Sequence, residues 1–165
     1  MKIEQPLGSS YPAGVLTNGN ITRSLSSEVR SVIHKFSWTN AMVAALAGAS
    51  GNLLVCTLPA KTVVKKALVI ITGQAAGLTA LTVSLGRTAT TYLDYIVASN
   101  AKAAANTIYG DAIAEVGTSL ADAIGDLPSI TGTTPVNLQF VSSVEDLSNV
   151  TGSAGDVILE TILYP

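Results

Sequence analysis

Val29 to Trp38 reads VRSVIHKFSW. On a two-residue period, Val32, His34, Phe36 and Trp38 fall on one side and Val29, Ser31, Ile33, Lys35 and Ser37 on the other. That is the pattern of a β-strand with one strongly apolar face. Similar runs lie on its carboxy-terminal side. NLLVCTL, Asn52 to Leu58, is a short apolar run stopped by Pro59. VVKKALVIIT, Val63 to Thr72, is apolar on both faces after Lys66, which predicts a position inside a sheet. TALTVSLG, Thr79 to Gly86, alternates with Leu81, Val83 and Leu85 inward. Its short Gly73 to Gly77 link to the preceding run predicts a hairpin.

After Pro128 the same signal returns. PVNLQFVS, Pro135 to Ser142, turns Val136, Leu138 and Phe140 inward, and DVILETILY, Asp156 to Tyr164, ends the chain as an apolar strand. AMVAAL, Ala41 to Leu46, fits a strand or a short helix, and periodicity does not decide between them. The segment from Thr91 to Leu127 carries the Ala-rich ASNAKAAANTIYG, whose good helix formers predict a crossover with one short helix. AIAEVGTSL, Ala112 to Leu120, is a candidate irregular strand within it. About seven strands separated by turn residues predict an all-β antiparallel sandwich, jelly-roll-like, with one short helical crossover.

The first 27 residues differ in kind. They hold Pro6, Pro12, Gly8, Gly14 and Gly19 without a sustained apolar period. Residues 1–27 therefore read as an extended arm preceding a sandwich domain over 28–165. Leu7, Tyr11, Val15 and Leu16 are its apolar anchors and candidate contacts to a neighbouring subunit.

Composition bounds the function. The 165 residues make one domain's worth of chain, with 12% charged residues against a typical ~25%. Low charge with a mean hydropathy of +0.46 excludes intrinsic disorder. The longest apolar runs, Ala41 to Ala47 and Ala67 to Ile71, fall far short of the ~18–20 residues of a membrane helix. Met1-Lys2 is followed by Ile3-Glu4-Gln5-Pro6 without an apolar stretch, so no signal peptide is expected. A net charge of −2, with Lys65-Lys66 as the only adjacent basic pair, argues against nucleic acid. So few charges predict a surface covered by other subunits, hence a homo-oligomer.

No catalytic constellation emerges. His34 is the sole histidine and reads as a packed side chain with one hydrogen bond. Cys56 is alone, so an intrachain disulfide is impossible and a zinc site is not credible. Asp94, Asp111, Glu115, Asp122 and Asp126 cluster in the middle segment without calcium-loop spacing and read as solvated loop charge. Glycine-rich phosphate loops are absent. No enzyme, metal or cofactor is expected. Tyr92 and Tyr95 are the place where a glycan would stack in the alternative reading as a carbohydrate-binding module.

Rhythm and composition from Val63 to Pro165 carry one resemblance. TALTVSLG, then YLDYIVASNAKAAANTIYG, then the closing VNLQF and GDVILETIL strands, resemble tailed-phage head decoration (auxiliary or cement) proteins and related β-sandwich virion components. The resemblance implies non-enzymatic binding to a major capsid protein at the virion surface, commonly as trimers. Another virion component, such as a head fibre base, neck or tail protein, is the nearest alternative.

Overall fold

The computed structural model describes residues 30–87, 92–111 and 132–163. The arm, with Leu7, Tyr11, Val15 and Leu16, and the candidate strand Ala112 to Leu120 lie outside the described residues. Among the described residues eight strands follow one another: β1 Arg30–Trp38, β2 Ser50–Leu58, β3 Thr62–Gly73, β4 Leu81–Arg87, β5 Ile96–Asn100, β6 Ile108–Tyr109, β7 Thr134–Ser142 and β8 Ala154–Leu163. A five-residue helix, α1 Asn40–Ala44, separates β1 from β2.

The strands form two four-stranded sheets, sheet I in the order β1-β8-β3-β6 and sheet II in the order β2-β7-β4-β5. Every pairing is antiparallel. First pairs with last, second with seventh, third with sixth and fourth with fifth. This is what one long hairpin produces when it is rolled so that alternate pairs land in opposite sheets. The result is the jelly-roll form of the β-sandwich.

The alternating patterns fold as their period demands. Along β8, Val157, Leu159 and Thr161 are buried while Asp156, Ile158, Glu160 and Ile162 are partly exposed. Val136, Leu138 and Phe140 of β7 are fully buried opposite them. Trp38 and Phe140 meet edge to face across the two sheets, with centroids 5.8 Å apart, a favoured aromatic geometry. The Trp38 indole donates to Ser153 Oγ at 3.3 Å. A Cβ on Gly155 would sit 2.1 Å from Trp38 Cη2, so only glycine lets β8 pass beneath that ring.

Two expectations are corrected. β3 and β4 are not a hairpin, because they belong to different sheets. Their link forms the corner of the roll: Ala75 and Leu78 bury into the core, and Ala76 exchanges backbone bonds with Thr151 at 2.7 and 2.9 Å. Among the described residues the α-helix is α1, between β1 and β2, and the described part of the Ala-rich stretch is not helical. Asn106 donates its backbone N–H to the Ile71 carbonyl, and Ile71 donates to that of Thr107, so cross-chain bonds replace helical ones. Asn100 takes the Lys102 N–H with its side chain in a tight local turn, and Asn106 and Gly110 both adopt positive φ. The sandwich itself is as expected, with β5 and β6 completing eight strands among the described residues.

Candidate functional site

The inner face of each sheet is occupied by the core, so a binding surface must come from an outer face, an edge or a loop. On sheet I the cross-strand register decides what the outer face carries. Ile33 pairs with Glu160, Lys35 with Ile158, and Ser37 with Asp156. Across β8, Lys66 pairs with Glu160, Leu68 with Ile158, and Ile70 with Asp156. Ile108 of β6 lies beside Ile70. Residues directly opposite on neighbouring strands share a face. Ile33, Leu68, Ile70, Ile108, Ile158 and Ile162 therefore form an aliphatic field across all four strands, on the side away from the core. Ile33 is 61% exposed and Ile108 40% exposed, while the other four are half-buried by their neighbours.

The field has relief. A groove of about 230 Å³ opens on it, lined by Lys35, Ser37, Ile70, Asp156 and Ile158 with contributions from Phe36 and Val157. Ile33 projects two residues further along β1. Charged groups rim the field: Lys65 Nζ reaches Glu160 Oε1 at 3.3 Å, and Ser37 Oγ donates to Asp156 Oδ1 at 2.5 Å. Among the described residues β1 is an edge strand of the sheet, nine residues in unbroken register with β8. It lacks the proline or bulge that commonly blunts such an edge.

Sheet II is different on its outside. Asn52, Thr82, Asn100, Asn137 and Gln139 occupy outward positions, with Leu54 and Val141 as aliphatic exceptions. The segment Tyr92 to Asp94 folds back onto this face. A Cβ on Gly86 would lie 2.6–2.9 Å from its backbone, which only glycine permits. Asp94, 1% exposed, accepts from the Arg87 backbone N–H and from Arg87 Nη2, both at 2.7 Å. That hydrogen bond holds the Arg87 guanidinium above its ordinary pKa. Asp94 is thus a buried clasp and not solvated loop charge.

The tyrosines divide. Tyr95 is 2% exposed, and burial pushes its phenol up to about 12. Tyr92 is partly exposed and accepts from the Asn52 side-chain amide at 2.8 Å. The expected stacking platform of Tyr92 with Tyr95 is not formed, because Tyr95 turns into the core. His34 Nε2 lies 3.2 Å from Thr161 Oγ1 inside sheet I. Cys56 is partly buried, and burial raises its thiol to about 11, which keeps it protonated near neutrality. Among the described residues no group of three or more His, Cys, Asp or Glu is arranged to hold a metal ion.

The aliphatic field was not singled out from the sequence, although its signal was present. Val63 to Thr72 is apolar on both faces after Lys66, and Asp156 to Tyr164 is an apolar strand with Glu160 on one face. In Val63 to Thr72 that property predicts a central position in a sheet. In a two-layer sandwich a central strand still has only one face covered by its own chain.

No protein family matches the chain, and no curated protein matches it in sequence. A solved structure does match in backbone: a chain of the cyanophage Pam1 capsid asymmetric unit, with a TM-score of 0.50 and 14% identity, over 84% of this chain and 86% of that one. At that identity the likeness is one of fold.

Proposed function

We propose that this chain is a structural virion protein that binds the surface of a phage capsid and reinforces the shell as a decoration protein, without enzymatic activity. The observation that carries the reading is the backbone likeness to a chain of a phage capsid asymmetric unit, because it spans most of both chains. The aliphatic outer face of sheet I supports it, since contiguous exposed apolar surface marks contact with other proteins. A net charge of −2 and 12% charged residues favour close-packed protein neighbours over nucleic acid. In this reading the major capsid protein is the partner, the protein is present in many copies, and residues 1–27 add contacts through Leu7, Tyr11, Val15 and Leu16.

The test is co-sedimentation of the purified protein with phage heads that lack it, followed by counting copies per particle. Binding in register with the shell lattice is the expected result. A handful of copies at one vertex would instead favour a neck or fibre component, and no binding to any head would overturn the reading. Removing residues 1–27 is expected to weaken binding; unchanged binding would remove the arm from it.

A further inference from the structure

We infer that the aliphatic outer face of sheet I is the seat of a second copy of this chain, with Ile33 of one copy entering the groove beside Lys35 and Ile158 of the other. The inference rests on the many-copy part of the reading above and not on its shell.

Folding does not require this face to be apolar. Each sheet needs one apolar face to close the sandwich, and the inner faces already supply Val157 and Leu159 of sheet I against Leu138 and Phe140 of sheet II. Among the described residues nothing covers the outward aliphatics of β3, β8 and β6 or Ile33 of β1, and they are left for a partner.

Three properties point to another copy as that partner. Shape comes first: the same face carries a projecting side chain, Ile33 at 61% exposure, and a groove of about 230 Å³ bounded by Ile70 and Ile158. A copy of this face thus brings the knob that fits the hole. Charge comes second. Lys35, Lys65 and Lys66 share the field with Asp156 and Glu160, so both signs are present and a rotated copy can set opposite charges against each other. A partner selected through one sign of charge would find no such match. Size comes third. Strands spaced ~4.8 Å apart and rising ~3.3 Å per residue give the face a footprint of roughly 500–600 Å². This is the same order as the ~800 Å² that each partner contributes to a standard interface. The low net charge of the chain adds little repulsion between copies.

The test is light scattering on the full chain across a concentration series, with circular dichroism to establish that each variant is folded. Wild type is expected to form a closed oligomer. Ile158→Glu in the middle of the field, and Ile33→Lys on its rim, are expected to weaken self-association by at least about a hundredfold. Ile33→Lys guards against misfolding, because that side chain is already mostly in water. Leu54→Lys, on the outer face of sheet II where Leu54 is 56% exposed, is expected to leave association unchanged. A monomeric wild type, association that survives both sheet I substitutions, or dissociation caused by Leu54→Lys would each overturn the inference. The same proteins in the co-sedimentation assay separate the two readings. A monomer that still coats heads defeats this inference alone, whereas an oligomer that ignores every head supports this inference and defeats the shell assignment.

Discussion

The two outer faces of the sandwich rest on four strands each, in the same antiparallel wrapping, yet they show solvent opposite chemistry. Sheet I presents Ile33, Ile70 and Ile158; sheet II presents Asn52, Asn137 and Gln139. Both sheets bury equivalent inner faces, so the demands of folding are met equally on the two sides. What differs is the side the core never sees. Sheet II follows the common antiparallel rule of one apolar and one polar face. Its outer surface is further closed by the chain itself, through the Tyr92 to Asp94 segment over Gly86 and the Arg87–Asp94 clasp. Sheet I departs from the rule along β3 and β8, with Ile33 and Ile108 added from β1 and β6. The departure concentrates on one face, and that face is therefore where a partner is to be sought.

The largest effect is expected where the covering of sheet II is undone. Asp94→Ala removes the carboxylate that accepts from the Arg87 backbone N–H and from its guanidinium. A loss of about 3–5 kcal/mol in unfolding free energy is expected by denaturant titration. A loss below ~1 kcal/mol would mean that the clasp does not hold the segment, and the contrast between the faces would weaken.

A second experiment compares two neighbours on β8. Leu159 is fully buried and faces the core, while Ile158 faces outward. Leu159→Ala is expected to cost about 2–5 kcal/mol, and Ile158→Ala less than ~1 kcal/mol when measured on dilute single chains. Equal losses would mean that the outer position contributes to the fold itself, which would end the argument that its apolarity serves contact.

The smallest effect is confined to alkaline solution. Burial raises Cys56 from 9.0 to about 11 and Tyr95 from 10.0 to about 12, so the unfolded chain ionises first. The stability gained by keeping both groups neutral is complete below pH 9 and declines as pH rises through about 11 and about 12. Thermal unfolding at stepped pH is expected to show that decline, with Cys56→Ala flattening its earlier part. A melting temperature that stays level across this range would place both side chains in water and contradict the core described for sheet II.

Much of the fold was legible because period-two runs are short-range signals. β1, β2, β3, β4, β7 and β8 could each be read from alternation and turn residues, and the inward positions Val136, Leu138 and Phe140 follow from parity alone. β5 and β6 could not. Ile96 to Asn100 and Ile108 to Tyr109 are too short to establish a period, and they sit beside an Ala-rich stretch with high helix propensity. Tertiary bonds overrode that propensity: Ile71 on β3 takes up the Asn106 and Thr107 backbone groups that a helix would have paired internally. The supposed β3–β4 hairpin failed for a related reason. A short glycine-bounded link specifies a reversal of direction, but not whether the returning strand stays in its own sheet.

The tyrosine pair illustrates the limit for function. Tyr92 and Tyr95 are three positions apart, and nothing in that spacing tells which ring meets water. The arrangement of the sheets turns Tyr95 under sheet II and leaves Tyr92 to accept from Asn52.

The sequence by itself determined which residues can be strands, which side of each must leave water, and that charge is scarce, because alternation and composition act over a few neighbouring residues. Only the tertiary structure decided which strands share a sheet. That choice gathers the outward isoleucines of β1, β3, β6 and β8, separated by up to 129 positions between Ile33 and Ile162, into one surface. Hydrogen-bonded pairing brings residues together by register and not by proximity along the chain, so the surface exists only once the roll has closed.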